Sequence, residues 1–402
     1  MEPTVSPSTR RAAMAALFVS VGLSSSGYIA AIIVAPLIAE DMLGSATLSG
    51  LPFAFAVIGM AVGSTVLAAR MARRGRRNGL ILGYIVVSVA ALMALVAANV
   101  ASFALFSIAM FVLGAGHSAN RLTRYAASDL YESQHRASAI GWIIWAGTIG
   151  SVAGPGLLEP ARQFAIWLGT VDTSGAYLVA IAGSLSAAGV LRARMPPLEP
   201  SHPPTGQPIR RLDVRRLLTV PDTQIAVVSL VISQGVMVLL MTMTPVHIRG
   251  AGDGLGSIGL VIGAHAFGMY ALSPLTGYLS DRLGRVPVIL IGVALLIGSA
   301  ALAANTPGAE TARLTVALFL LGLGWNFGFV AGSALLTDSV PEIDRVRAQG
   351  SADSLTWLSG AAAGLASGVL LGQGGFPLLG TVGAGFAVIP VLVIARHRFR
   401  SS

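Results

Sequence analysis

The sequence predicts an all-α membrane protein with twelve transmembrane helices in two pseudo-symmetric six-helix bundles, and three observations support this fold class. Apolar residues make up 54% of the 402 residues and charged residues only 11%, which is roughly half the charged fraction of a soluble domain. Apolar runs of about 20 residues, long enough to cross a bilayer as helices, recur along the chain. The two halves of the chain also repeat one another.

Each apolar run is expected to form one transmembrane helix. Strands of a membrane barrel would alternate apolar and polar residues with period two, and these runs do not. The runs cover residues 12–38, 47–71, 78–99, 102–127, 137–159, 174–193, 222–246, 256–280, 286–305, 313–337, 347–372 and 376–395. The first run lacks a small-residue cleavage site, so it is expected to be a retained span rather than a signal peptide.

The basic residues predict the topology of these helices. All 26 of them are Arg, and only Arg162, Arg249 and Arg313 fall in loops that the span count places outside. Basic residues are enriched in cytoplasmic loops, so both termini are expected in the cytoplasm. The net charge of +9 is therefore a topology signal and gives no reason to expect a nucleic-acid partner. The chain has no Cys, which excludes disulfides and thiolate metal sites.

A Pro-rich, basic segment at residues 194–220 is expected to be an extended cytoplasmic linker. It separates an N-terminal six-helix bundle, residues 1–193, from a C-terminal bundle, residues 221–402. At an offset of 209 residues, Gly, Arg and Asp positions of the first bundle recur in the second. The pairs are Gly59 and Gly268, Gly75 and Gly284, Arg76 and Arg285, Asp129 and Asp338, Arg136 and Arg345, and Gly141 and Gly350. Such a parallel repeat occurs in transporters whose binding site lies near the midplane between the halves.

The predicted loop after the eighth helix carries a specific motif. Its sequence, Gly277-Tyr-Leu-Ser-Asp281-Arg282-Leu-Gly284-Arg285, resembles the loop motif of the major facilitator superfamily. The first-half copy is degenerate, with Ala68 in place of the leading Gly and Ala72 in place of the Asp. The resemblance covers nearly the whole chain and implies the fold of that family. It also implies that Asp281 helps to latch the cytoplasmic side when the carrier faces outward.

Two pairs of potential metal ligands lie on the seventh and eighth predicted helices. Met237 and Met241 are four residues apart, as are His265 and Met269, so each pair lies on one helix face. Two adjacent antiparallel helices would present three thioethers and one imidazole to a shared gap, a soft ligand set that suits Cu(I). Met is also a common gap-filler in apolar helices, so the spacing alone favours packing over metal binding.

The two motifs together resemble those of bacterial copper importers of the CcoA type, whose hallmark is MxxxM on helix seven and HxxxM on helix eight. The resemblance implies copper uptake across the inner membrane into the cytoplasm for cytochrome oxidase assembly. It implies copper as the transported substrate, no permanent cofactor, and a cytoplasmic copper chaperone as partner. Met243 and His247 repeat the spacing of four towards the outer end of helix seven and are interpreted as an outer relay.

Other polar residues are assigned to the cavity and to gating. His117 lies at mid-membrane depth on helix four and is interpreted as a copper ligand, a proton acceptor, or a neutral hydrogen-bonded His. Gln234 and Asn326 are further cavity candidates. A cytoplasmic charge network that stabilises one access state is expected from Arg121, Arg124 and Asp353 with Asp129, Arg136, Asp338 and Arg345, and the loop-motif residues Asp281, Arg282, Gly284 and Arg285 are assigned to gating with them. The alternative for these arginines is simple snorkelling to the interface.

A second functional class is a proton-coupled exporter of small organic compounds. The stretch Gly147-Thr-Ile-Gly150-Ser-Val-Ala-Gly154-Pro155 resembles the helix-five signature of drug–proton antiporters, and Trp325 and Trp357 fit an aromatic cavity. Leu158 and Glu159 replace the paired Gly that ends that signature, and small residues at this spacing also serve close helix approach. The sequence has no phosphate-binding loop and no nucleophile with a base at a suitable spacing, so the protein is not expected to be an enzyme.

Overall fold

The computed structural model describes residues 6–44, 50–196, 219–252, 255–306 and 310–401. All regular structure in these ranges is helical, as predicted. The α-helices are α1 (Pro7–Leu43), α2 (Leu51–Arg74), α3 (Arg76–Asn99), α4 (Phe103–Ser128), α5 (Ser133–Gly156), α6 (Leu158–Trp167), α7 (Gly175–Arg194), α8 (Pro221–Gly250), α9 (Leu255–Tyr270), α10 (Ser273–Leu283), α11 (Arg285–Ala304), α12 (Thr311–Ser339), α13 (Glu342–Ala387) and α14 (Ile389–Ser401).

Eleven segments of the described chain are long and apolar enough to span a membrane. The last of them, Glu342–His397, is 56 residues long, more than twice what one crossing needs. Its backbone breaks at Gly374 and Gly375, and Gly375 has a φ of +67°, in the left-handed region that favours glycine. The break falls between the last two predicted runs, so the prediction of twelve transmembrane helices is confirmed.

The helices differ from the predicted runs in two places. The eighth run is interrupted at Ala271 and Leu272, and α10 begins there with Pro274 in its first turn, where a missing N–H costs least. The sequence did not predict α6, which has 10 residues and is too short to span a bilayer. Residues 197–218 of the predicted linker lie outside the described residues.

The chain forms two compact units. Unit 1 comprises Met1–Leu130, Ala146–Arg210 and Glu342–Ser354, and unit 2 comprises Tyr131–Trp145, Arg211–Pro341 and Leu355–Ser402. Each unit therefore includes a short segment from the opposite half of the sequence, taken from α5 or from α13. The predicted bundle boundaries at residues 193 and 220 stay a prediction.

Glycines allow helices to pack at backbone contact in both units. In unit 1, a Cβ at Gly59 would overlap the carbonyl of Phe111, and one at Gly114 would overlap the carbonyl of Ala56. These glycines bring α2 directly against α4. In unit 2, Gly322 meets the carbonyl of His265 in the same way and brings α12 against α9. Without a hydrophobic force between helices in lipid, such close contact is a main source of packing energy.

The internal repeat is visible in the backbone. Pro36 lies inside α1 and Pro245 inside α8, 209 residues apart. Gly75 and Gly284 have nearly the same left-handed geometry, with φ of +82° and +91° and ψ of 157° and 160°. Each ends one helix and begins the next, which explains why glycine recurs there although the surrounding loop motif is degenerate in the first half.

We expect Gly59→Ala to lower the melting temperature of the purified protein, because the added methyl group forces α2 and α4 apart. Overpacking of this kind costs about 1–3 kcal/mol. Gly298→Ala is the matched control, since a Cβ there meets no atom within 4 Å and alanine favours the helix. Equal melting temperatures for the two variants in the same detergent would contradict the role assigned to Gly59.

Candidate functional site

His265 on α9 is the central residue of the predicted metal site, and its side chain is only 1% exposed. Its Nδ1 lies 2.9 Å from the backbone carbonyl oxygen of Leu318 on α12. A carbonyl can only accept, so Nδ1 carries the hydrogen, and in the neutral imidazole Nε2 keeps a free lone pair. Nε2 is buried and has no hydrogen-bond partner among the described residues. This is the orientation that a metal-ligating His adopts when a backbone carbonyl fixes its tautomer.

The three predicted thioether ligands lie on α8 and α9 of the same unit. Met237 is 5% exposed and Met269 is 7% exposed, whereas Met241 is half-buried. Both helices pack mainly against α12, and α8 contacts α9 directly over a smaller surface. The gap that the sequence predicted between two neighbouring helices is therefore bordered by a third helix as well.

The depths of the four residues can be compared through α12. Leu230 lies against Gly332, Ser233 against Gly328, and Gln234 bonds Trp325, so α8 and α12 run antiparallel. Met237 and Met241 follow Gln234 by three and seven residues, which brings them level with Gly322 and Leu318 respectively. Those are the two residues that His265 contacts. The four predicted ligands therefore share one depth range within unit 2.

The first half of the chain contains a related cluster around Tyr28. The phenol hydroxyl of Tyr28 donates to the Sδ atom of Met60 at 3.8 Å. The Tyr28 ring also stacks on His117, with the centroids 3.6 Å apart. His117 is 5% exposed, and its Nδ1 is buried with no partner in the described part of the chain. Unit 1 therefore brings a thioether and an imidazole to the same tyrosine.

The repeat relates this cluster to the predicted metal site. At the offset of 209, Tyr28 corresponds to Met237 and Met60 corresponds to Met269. On the fourth helix of each half, Gly114 and Gly322 make equivalent contacts, with the carbonyls of Ala56 and His265 respectively. The offset on this helix is therefore 208. At that offset His117 corresponds to Trp325. The helix positions of Tyr28 and Met60 in unit 1 thus correspond to those of Met237 and Met269 in unit 2.

The other predicted cavity residues already have partners within unit 2. Gln234 accepts a hydrogen bond from the indole nitrogen of Trp325 at 2.9 Å. Asn326 donates to the backbone carbonyl of Met269 and to the hydroxyl of Ser273, and it accepts from Thr276. Asn326 therefore holds α12 to α9 and α10, a structural role that its residue type did not reveal.

The two residues of the predicted outer relay, Met243 and His247, have different surroundings. His247 stacks on Phe376, with the ring centroids 4.3 Å apart, and Met243 is half-buried on the same helix. No group of three or more His, Cys, Asp or Glu residues that could hold a metal occurs among the described residues. The predicted site is of another type, since it contains one His and three Met.

The predicted charge network is divided between the units. In unit 2, Asp338 pairs with Arg136 at 2.7 Å and with Arg285 at 3.2 Å. Asp281 pairs with Arg285 at 2.8 Å and accepts hydrogen bonds from the backbone and hydroxyl of Ser138 in the first turns of α5. The motif Asp thus caps the amino end of a helix, where a negative charge is favourable. It ties α5 to α10 and α11.

Unit 1 also contains a charge network, and its ion pairs are formed by different residues. Arg76 pairs with Asp129 at 2.8 Å, the counterpart of the Arg285–Asp338 pair, and also donates to Gln349. Arg124 pairs with Asp353 at 2.8 Å, and their side chains are only 2% and 1% exposed. Ala72, which stands where the loop motif has an Asp, supplies no carboxylate. Asp353 on α13 provides a buried carboxylate at a different position in unit 1.

Asp353 has a second partner, since its other carboxylate oxygen accepts from the hydroxyl of Ser64 at 2.6 Å.

The remaining predicted gating residues have other surroundings. Arg282 lies over the ring of Tyr278, 5.3 Å from its centroid. Gly284 is the left-handed residue between α10 and α11, and Arg345 lies in the first turn of α13. The sequence had given no role to Ser64 or Gln349. Ser64 alone had a signal, because the offset of 209 pairs it with Ser273.

Comparison with known proteins gives a consistent result. The family model described as Major Facilitator Superfamily matches residues 16–255 and 225–401. The chain is 36% identical to the uncharacterized MFS-type transporter YdeG of Bacillus subtilis (strain 168), over 93% of this chain and 89% of that protein. It is 30% identical to the riboflavin transporter RfnT of Brucella anthropi, over 85% of this chain and 84% of that protein.

Among solved structures, the chain resembles the human organic anion transporter MFSD10 (TETRAN) with a TM-score of 0.80. The sequences are 16% identical, and the match covers 97% of this chain and 100% of the other. At this identity the resemblance shows the fold alone.

Asp353→Asn is expected to lower the melting temperature strongly, because it leaves the Arg124 guanidinium buried without a counter-charge. Breaking one partner of a buried pair costs about 3–5 kcal/mol. The double variant Arg124→Leu with Asp353→Leu should recover most of that loss, since it buries no charge. Glu159→Gln, at the exposed pair with Arg162, is the control and should change the melting temperature little. A loss in the double variant equal to that in Asp353→Asn would contradict this assignment.

Proposed function

The chain belongs to the major facilitator superfamily and is a secondary transporter, and from that premise we propose that it imports copper by alternating access. Met237, Met241, His265 and Met269 form the transport site. The family and fold are those of transporters, not of enzymes. The copper assignment rests on the donor chemistry of unit 2 and on the resemblance of its two motifs to those of copper importers.

The observation that carries this proposal is the state of His265. Its Nδ1 is committed to the Leu318 carbonyl, and its buried Nε2 has no partner in the described chain. An imidazole that served packing alone would leave this nitrogen unsatisfied, which costs about 1–3 kcal/mol. A metal ion that binds Nε2 removes this cost during transport.

The internal repeat supports the participation of Met237 and Met269. In unit 1 their counterparts Tyr28 and Met60 contact one another, so we expect the two methionines to approach each other in unit 2. Thioether and neutral imidazole carry no charge, so they bind Cu(I) without burying an anion in the membrane. Such a site binds loosely enough to release its ion, which transport requires.

The access route and the gates follow from the remaining residues. Met243 and His247 act as the outer relay on α8, with the His247 ring held by Phe376. The charge clusters around Asp281 and Asp338 in unit 2 and around Asp129 and Asp353 in unit 1 break and re-form as the access state changes, together with Arg136, Arg285 and Arg345. By resemblance, the protein lies in a bacterial inner membrane with cytoplasmic termini and delivers copper to a chaperone for oxidase assembly.

A second candidate is uptake of a planar aromatic solute. The relative RfnT is named a riboflavin transporter, and both units contain stacked or edge-packed aromatic side chains. Tyr28 stacks on His117 in unit 1, and Trp325 packs edge-on against Tyr270 in unit 2. A flavin-like ring system would stack on the Tyr28 ring in unit 1, and His117 would then serve the solute or its coupled proton.

The test measures uptake of radioactive Cu(I) by cells whose chromosomal copy of the gene is deleted. The wild-type gene or a variant is supplied to these cells on a plasmid. Met237→Leu and His265→Gln should each reduce uptake at limiting copper by at least about tenfold, since even residues that only support metal ligands affect affinity by about 10–100-fold. Met71→Leu is the matched control, because Met71 is a buried methionine of α2 at 1% exposure. Membrane levels of all variants are measured in parallel.

Uptake of radiolabelled riboflavin by the same cells separates the two candidates. Copper uptake that depends on Met237 and His265, without riboflavin uptake, is the expected result. Riboflavin uptake that is lost in Tyr28→Ala but kept in Met237→Leu would support the second candidate. Copper uptake at wild-type level in both Met237→Leu and His265→Gln would refute the first.

A further inference from the structure

A basic cavity lies at one end of unit 1, and neither candidate substrate accounts for it. Its volume is about 500 Å³, and its lining includes Ser8, Thr9, Arg77, Arg192 and Arg194. These residues come from the first turn of α1, the first turn of α3 and the last turn of α7. All three helices are membrane spans, and the cavity lies where those spans begin or end.

The cavity concentrates positive charge that has no counter-charge on the described chain. None of the ion pairs found in the described ranges involves Arg77, Arg192 or Arg194. Arg77 donates through Nη2 to the backbone carbonyl of Arg192 at 2.5 Å. Its Nε atom is buried and has no partner in the described residues. Arg192 and Arg194 are exposed and Arg77 is half-buried, so the three guanidinium groups bring positive charge to one space that is open at the surface.

The polar groups of the cavity suit an oxyanion. The amino ends of α1 and α3 bring the positive ends of two helix dipoles to the cavity. The hydroxyls of Ser8 and Thr9 exchange hydrogen bonds with Ser6 at 3.1 and 2.8 Å, and each can turn to donate to a ligand. Guanidinium groups bind phosphate oxygens in pairs of parallel hydrogen bonds, which makes phosphate a better match than a halide.

We propose that this cavity binds an anionic phosphate group, supplied by an acidic phospholipid headgroup or by a free phosphate. The cavity is open at the surface of the unit. Its place at the ends of three spans favours the lipid source. Bound there, the phosphate joins the ends of α1, α3 and α7 and holds unit 1 together at that edge. The proposal is independent of the transported substrate.

The experiment measures the melting temperature of the purified full-length protein in a neutral detergent. Three ligands are titrated separately: short-chain phosphatidylglycerol, phosphatidylcholine with the same acyl chains, and inorganic phosphate. Phosphatidylglycerol should raise the melting temperature in a saturable way, because a ligand that binds only the folded state stabilises it. Phosphatidylcholine should not. A rise with inorganic phosphate as well would identify the phosphate group alone as sufficient.

The double variant Arg192→Gln with Arg194→Gln tests the site itself. Each arginine near an anionic surface contributes roughly a fivefold change in affinity, so the half-saturating concentration should rise roughly 25-fold. Arg73→Gln with Arg74→Gln is the matched control, since these exposed arginines end α2 outside the cavity and remove the same charge. If the double variant does not fold, Arg194→Gln alone should shift the midpoint roughly fivefold.

Two results would overturn the proposal. One is an equal response to phosphatidylglycerol and phosphatidylcholine with no response to phosphate. The other is an equal shift in the cavity variant and the α2 control variant, because that would reflect net charge and not this cavity.

Discussion

The fold depends on backbone contact between helices that glycine permits. In a bilayer every backbone polar group must be satisfied within a helix, and helices gain little from hydrophobic burial against each other. Gly59 and Gly114 therefore bring α2 against α4, and Gly322 brings α12 against α9. This contact has a direct consequence for chemistry. Because α9 lies directly on α12, the imidazole of His265 reaches the carbonyl of Leu318.

The same close packing explains the treatment of polar groups inside the membrane. Asp353 accepts from Arg124 and Ser64, and Asn326 makes hydrogen bonds with three partners. Groups satisfied in this way stabilise one arrangement of the helices. The imidazoles of His265 and His117 each keep one buried nitrogen without a partner on the described chain. This difference separates candidate ligands from structural polar residues, and residue type alone does not.

Much of the fold followed from the sequence because span length, Arg distribution and the internal repeat are properties of the chain itself. The site followed only in part. The spacing of Met237 with Met241 and of His265 with Met269 predicted ligands on two helix faces. It could not show that α12 borders the gap. The charge network expected from the sequence included Arg124 and Asp353, but no local pattern indicated that these two residues, 229 positions apart, pair directly. The stacking of Tyr28 on His117 became visible as part of the repeat only once α4 and α12 were aligned by their glycine contacts, with an offset of 208.

Unit 2 is the simplest place to test the central claim, because all four proposed ligands belong to it. X-ray absorption spectroscopy of the purified protein loaded with one equivalent of Cu(I) measures the ligand atoms directly. The account predicts a first shell that contains sulfur from Met237, Met241 and Met269 together with one imidazole nitrogen, and loss of the sulfur signal in the variant that replaces all three methionines by Leu. A shell of nitrogen and oxygen only, or a spectrum that this variant leaves unchanged, would contradict it.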